Sequence, residues 1–365
     1  MTEEATLTQP ETTRESVPLT IVVGTGRCGS TMLSNLLWEH PDVLSLSEFF
    51  ILVEGQQFRE EEVLDGSQLW ARLSMPRAEM TALLRQGLRF PELLYPLNST
   101  SRYTAETGVP SILLVTLPHL TNDYEAVFDE LQQVVSQFPT DRIAMHYLRL
   151  FEWFKQRFGR RVCIERSGAS LPLVPSLAQG FPEAKFVLLV RDGRECAMSM
   201  SRHHGFRLMA ASQLEAQRSK AEGIQPDTYE LRQRVFARIN DTIPIEIFGR
   251  LWTNMLLEGI HHLSQLPRER VITITYEQVL NQTESVLTQL MNFIDPSLLD
   301  EQWLRTVATR IRPQSFTWKQ LPAQERSSLE EACEPGLAAL EVALQEGLHS
   351  AKLANLLNQA IGGLA

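Results

Sequence analysis

Residues 19–38 carry the feature that most narrows the choice of fold: the apolar run Leu19–Val23 leads straight into a glycine-rich turn, GTGRCGST at 24–31, which leads straight into a helix-like stretch at 32–38. Glycine at positions 24, 26 and 29 lets the backbone turn tightly and come close to a ligand. The unpaired N–H groups and the positive end of the following helix then point at an anion. A strand, turn and helix in this order form a phosphate cradle, and a phosphorylated ligand is expected there.

Three loop chemistries fit parts of this stretch. The nucleoside-triphosphate loop, G-x-x-x-x-G-K-[ST], has its frame from Gly24 to Gly29, but Ser30 stands where the lysine belongs. The dinucleotide fingerprint G-x-G-x-x-G is matched by Gly24, Gly26 and Gly29, with Glu48 19 residues beyond as a ribose-binding acid. That fold needs its third strand soon afterwards, and the next convincing strand is only at 161–165. In the third chemistry the charge lies inside the loop, with Arg27 two residues before Gly29 and the hydroxyls of Ser30 and Thr31 after it.

Arg27, Cys28, Gly29, Ser30 and Thr31 resemble the first loop of the sulfotransferases that use 3′-phosphoadenosine 5′-phosphosulfate (PAPS), with Cys28 in place of the usual serine. A second segment resembles the same family: the apolar run 184–190 reads as a buried parallel strand and ends in RDGRECAMS at 191–199. The family pairs an Arg at this strand end with a Ser eight residues on, here Arg191 and Ser199, on the 3′-phosphate. An Arg at a strand end and a Ser two turns into the next helix can meet on one oxyanion. Residues 164–168 (IERSG), 181–187 (FPEAKFV), 270–280 (RVITITYEQVL) and the run to Ile294 resemble further family segments.

The resemblance implies a PAPS-dependent sulfotransferase with an α/β, P-loop-like three-layer fold. A central parallel sheet of about five strands is flanked by helices, and helical insertions are added. It implies Gly26, Arg27, Cys28, Gly29, Ser30, Thr31, Arg191 and Ser199 as cofactor-binding residues, and adenosine 3′,5′-bisphosphate as product. The family closes a basic late loop over the 3′-phosphate; Arg310, Arg312 and Lys319 are the candidates, and Arg312 is taken as the representative. In carbohydrate-type and several bacterial members a Glu followed by Phe-Phe takes the acceptor's proton. Glu48, Phe49 and Phe50 match it at the end of a short second strand, expected to lie beside the first loop. The phenylalanines are expected to desolvate the Glu48 carboxylate and strengthen it as a base. Glu48 and Arg27 are thus the expected catalytic residues, with His119, His146, His203 and His204 in reserve. No metal is expected.

Around these anchors, residues 1–17 are polar and acidic and read as a disordered tail without a secretion signal. The catalytic domain is expected over 18–320, with insertions at 53–143 and 202–249 forming acceptor pocket and lid, and C-terminal helices packed on it over 321–365. An insertion as long as 53–143 is uncommon unless functional. No window has the ~20 apolar residues of a membrane span. The four cysteines lack metal spacing and fit reduced thiols, so the expected location is cytoplasmic. A net charge of −10 argues against nucleic acid as a partner.

The arginines at 142, 149, 157, 160 and 161 read as solvated helix faces. Cys28, beside Arg27 at a helix start, admits a lowered pKa and redox gating; filling space in the loop is the plainer role. The expected acceptor is a hydroxyl of a carbohydrate or of a small lipid- or polyketide-like molecule. Two other classes stay open: a P-loop small-molecule kinase or NAD-binding enzyme, and a non-catalytic nucleotide-binding protein.

Overall fold

Five parallel strands form the central sheet of the computed structural model, which describes residues 19–55, 57–223, 228–311 and 317–362. They are β1 (Leu19–Val23), β2 (Val43–Ser47), β3 (Val162–Arg166), β4 (Lys185–Val190) and β5 (Val271–Thr275). Their order across the sheet is β2-β3-β1-β4-β5. β1, β2 and β3 are buried at every position, as strands covered by helices on both faces must be. This is why they read in the sequence as short runs rich in Val, Ile and Leu. The buried apolar side chains join into a single cluster that extends from Leu19 to Leu357.

β2 does not lie against β1: β3 is inserted between them, pairing Leu19 with Cys163 on one side and Val43 with Val162 on the other. The chain leaves β1 toward the β2 edge and leaves β4 toward the β5 edge. The β1–β4 boundary is therefore where the connections diverge, the place at which open α/β sheets bind ligands beyond the carboxyl ends of their strands. The glycine turn follows β1 and Arg191 follows β4, so both open onto this point.

The helices that shape the site are α1 (Ser30–Trp38), α2 (Phe49–Val53), α3 (Ile143–Phe158), α4 (Gly193–Met200) and α5 (His204–Glu222). Behind the sheet, α6 (Ile245–Leu263) packs on α7 (Ala323–Glu346). Gly249 and Gly336 allow the close approach: a Cβ on Gly336 would stand 2.5 Å from the Trp252 ring. A final helix, α8 (Ala351–Gly362), follows a break at Gly347. Residues 53–143 contribute helices and a two-stranded antiparallel ribbon, Val63–Leu64 with Asp141–Arg142. The expected tail at 1–17 and Arg312 both lie outside the described residues.

The arginines before β3 do occupy surface faces. Arg142, Arg149, Arg157 and Arg161 pair with Glu61, Asp141, Glu130 and Asp42, and Arg160 donates to the His40 carbonyl at 2.8 Å. Among the described residues no helix is long and apolar enough to cross a membrane.

Candidate functional site

The turn after β1 is built on left-handed backbone. Gly26 has φ 76° and Gly29 φ 92°, conformations in which an L side chain is strained. A Cβ on Gly29 would also stand 2.3 Å from the Tyr276 ring. Gly29 is the N-cap of α1 and supplies no side-chain cap, and the first turn holds no acidic residue. The first N–H groups of α1 are thus left to an outside acceptor.

Arg27 is itself left-handed, at φ 57°. Its Nε donates to Ser199 Oγ on α4 at 3.0 Å, across 172 residues of sequence. Arg191, at the end of β4, lies over the Tyr276 ring with its guanidinium carbon 4.4 Å from the centroid, and its Nη1 reaches the Arg27 carbonyl at 3.5 Å. The two anion grips read from the sequence therefore touch. Gly26, Arg27, Gly29, Ser30, Thr31, Arg191 and Ser199 all line one cavity of about 990 Å³, at the upper end of the usual range for ligand sites.

Glu48 lines the same cavity. Its φ of 58° ends β2 abruptly and starts α2. The side chain is nearly buried, and its carboxylate is held from two directions. Arg166, 2% exposed at the end of β3, donates from Nη1 to Oε1, and the Gly168 N–H donates to Oε2 at 2.9 Å. Arg166 Nη2 also donates to Ser47 Oγ at 2.6 Å.

The surroundings expected of this carboxylate need correction. Phe49 and Phe50 are fully buried and turn into an aromatic cluster: Phe49 meets Tyr147 and Phe151 of α3, and Phe50 meets Phe58 and Phe181. They anchor α2 instead of facing the carboxylate. Arg166 is its neighbour, and the sequence indicated this residue only within the family-like segment 164–168.

Beside it, Glu165 is fully buried and accepts from the Ser167 hydroxyl at 2.6 Å and the Phe50 N–H at 3.3 Å. Burial pushes its carboxyl up to about 8, against the Ser167 and Phe50 hydrogen bonds and the nearby Arg166; the charge of Glu48 adds to the rise.

Among the described residues, the non-glycine positions with left-handed backbone are Arg27, Glu48 and Ala169, and all three line this cavity. Such conformations persist only where the surroundings enforce them, and they gather at functional sites.

Cys28 behaves differently from the redox reading. Its side chain is fully buried under the loop, where a Cβ on Gly24 would come within 2.7 Å of Sγ, and it does not line the cavity. Burial pushes the thiol up, outweighing the loop N–H groups and Arg166, so the space-filling role stands.

Of the late basic residues, Arg310 lines the cavity and pairs with Glu39, while Lys319 lies 6.0 Å from the Trp318 ring centroid. Of the reserve histidines, His146 donates to the Leu64 carbonyl at 2.8 Å, and burial holds His119 down to about 4. His204 donates to the Arg89 carbonyl at 2.7 Å. His203 lines the cavity and binds Glu92, a residue with no signal in the sequence. Among the described residues no group of three or more His, Cys, Asp or Glu side chains could hold a metal ion.

A parallel α/β sheet thus carries a glycine turn and two arginines at its switch point, faced by a carboxylate that follows the outermost strand. The sequence profile described as "Sulfotransferase family" matches residues 18–300, well over half of the chain. The chain belongs to the sulfotransferase family.

Solved structures similar to it include a sulfotransferase domain from the curacin biosynthetic pathway. That domain is 17% identical, with 88% of this chain and 98% of that one covered and a TM-score of 0.45. The sulfotransferase domain of the Synechococcus PCC 7002 olefin synthase is also 17% identical, covering 90% and 98%, with a TM-score of 0.43. A sulfotransferase from Alicyclobacillus acidocaldarius is 15% identical, covering 89% and 94%, with a TM-score of 0.39. No curated protein sequence matches the chain.

Proposed function

We propose that the chain moves a sulfuryl group from PAPS to the hydroxyl of a carbohydrate or a small lipid- or polyketide-like acceptor, with Glu48 as general base. The observation that carries this reading is the convergence of Arg27, Ser199, Arg191 and Glu48 on a single cavity. The residues suit such a donor. Glycines 26 and 29 open a cradle that a Cβ would fill, the uncapped start of α1 presents N–H groups, and two arginines supply charge.

Arg27, Ser30, Thr31 and the loop N–H groups would hold the 5′ end, and Arg191 with Ser199 the 3′-phosphate. Once bound, the donor supplies an activated sulfuryl group and a phosphate leaving group. Arg27 then favours the transition state because negative charge grows on the leaving oxygen next to it. Glu48 takes the acceptor proton. A carboxylate oxygen has two lone pairs, so Arg166 on Oε1 and the Gly168 N–H on Oε2 leave each oxygen able to accept once more. Arg166 orients the base. Apolar residues from both insertions, among them Met80, Leu83, Phe90 and Met209, line the remaining space and suit an acceptor with an apolar body.

The test is transfer of radiolabelled sulfur from PAPS into a cell extract, followed by identification of the labelled product. Arg27→Ala is expected to cut turnover more than nucleotide affinity, and Arg191→Ala mainly to weaken nucleotide binding. Full activity in both variants overturns the assignment. Thermal shifts with adenosine 3′,5′-bisphosphate, ATP and NAD separate the reading from a kinase or a dehydrogenase.

A further inference from the structure

Glu92 occupies the middle of the cradle, on a segment that neither the glycine turn nor the strand ends foreshadow. Its Oε1 accepts from Arg27 Nη1, and its Oε2 accepts from His203 Nε2 at 2.8 Å. His203 Nδ1 accepts from the Gly205 N–H at 3.1 Å, which leaves the ring proton on Nε2, directed at the carboxylate. Both ring nitrogens are engaged, so His203 is a poor candidate for the base. The Glu92 side chain is only 13% exposed. Burial works to raise its carboxyl, but the hydrogen bond from His203 and the charge of Arg27 hold it low.

The donor would therefore meet an ionised carboxylate already seated on the arginine assigned to it. Arg27 Nε is committed to Ser199 and Nη1 to Glu92. An anion approaching the rest of the guanidinium would face a like charge within a few ångströms, in a part-buried site where screening by solvent is weak. The carrier of this carboxylate is also a wall of the cavity. Phe90 and Pro91 line the cavity beside Glu92, and the Arg89 carbonyl accepts from His204 at the start of α5.

We propose that Glu92 is a resident stand-in for the donor's phosphosulfate, which must leave Arg27 when the donor enters and carries the Phe90–Pro91 wall with it. The inference rests on the PAPS reading and adds an order to it: the donor binds first, and its entry reshapes the wall that the acceptor meets.

The experiment is calorimetric titration of adenosine 3′,5′-bisphosphate into the full chain, Glu92→Gln, Glu92→Ala and Glu79→Gln. Gln keeps the shape and an acceptor oxygen for Arg27 but removes the charge. Glu79 lines the same cavity and pairs with Arg77, so its variant measures general charge relief. Glu92→Gln is expected to bind the bisphosphate about tenfold more tightly than the full chain, the loss of one charge-assisted contact in competition. Glu92→Ala should bind at least as tightly, and Glu79→Gln should not change.

Weaker or equal binding in the Glu92 variants makes Glu92 a fixed support of Arg27 and overturns the proposal. An equal gain in Glu79→Gln overturns it as well. Amide hydrogen exchange of the unaltered chain gives a second readout: residues 88–94 should exchange faster with bisphosphate bound, and tight binding with no change there refutes displacement. If the unaltered chain binds the bisphosphate but the Glu92 variants gain nothing, this inference falls alone. If no form binds it, the PAPS reading falls and takes the inference with it.

Discussion

Replacing Glu48 by Gln and by Ala separates the proposed role of this carboxylate as a base from its pairing with Arg166. As a base, Glu48 contributes a proton acceptor typically worth ~10²- to 10⁴-fold in rate. As a partner, it neutralises Arg166, which is 2% exposed with its Nη1 on Glu48. Glu48→Gln loses the base but keeps an amide oxygen that can accept from Arg166 or from Gly168. It also removes the counter-charge of Arg166 but keeps a hydrogen-bond partner for it, so its cost lies below that of Ala, at about 1.5 to 3 kcal/mol. Glu48→Ala strands the guanidinium in the protein interior, with Ser47 Oγ still held but no negative charge beside it. Breaking a buried pair in this way costs about 3 to 5 kcal/mol. For a chain of this size that lowers the unfolding midpoint by on the order of 4–7 °C.

Both variants should therefore lose at least about 100-fold in turnover, and Ala should unfold earliest. Neither should change bisphosphate affinity greatly, since Glu48 does not touch Arg27, Arg191 or Ser199. Steady-state turnover with PAPS, differential scanning calorimetry and calorimetric titration measure the three quantities. Turnover of Glu48→Gln within about threefold of the unaltered chain refutes the base. A midpoint for Glu48→Ala equal to that of the unaltered chain refutes the view that the ion pair holds the end of β3.

Three further outcomes follow from positions described above. Gly29→Ala should reduce bisphosphate affinity by at least about tenfold, because the new Cβ meets the Tyr276 ring at 2.3 Å and φ is 92°; unchanged affinity by titration removes the loop from the binding site. Glu165→Gln should flatten the pH dependence of thermal stability between about pH 4.5 and 8. The folded-state pKa of Glu165 lies above the unfolded one, so its contribution is fully present below pH ~4.5 and is lost as pH rises toward 8. Parallel pH–midpoint curves for the two proteins contradict this. All four cysteines are buried, so Ellman's reagent should titrate almost no thiol in the native protein and four after unfolding; rapid labelling of Cys28 restores the gating idea.

The inner strands β1 and β4 were readable because burial on both faces made each a short apolar run. The glycine turn was readable because its left-handed positions at 26 and 29 suit no other residue so well. The order of the strands was not, since a parallel crossover gives no local sign of which neighbour it skips, and β3 comes between β1 and β2 after more than a hundred residues of insertion. The Glu-Phe-Phe motif located the carboxylate but misled about its surroundings. Phe49 and Phe50 pack into the aromatic cluster, and only tertiary packing reveals Arg166 as the neighbour of the carboxylate. Glu92 had no sequence signal because its partners, Arg27 and His203, lie 65 and 111 residues away.

The sheet order has a consequence for how such a chain can change over time. Arg27 and Arg191 follow strands in the middle of the sheet, while Glu48 follows the outermost strand, next to the long excursion at 53–143. Substitutions or length changes in that excursion alter the rim without disturbing the hub that β1 and β4 form. On the proposed reading, lineages exchange one acceptor for another and inherit the donor grip unaltered.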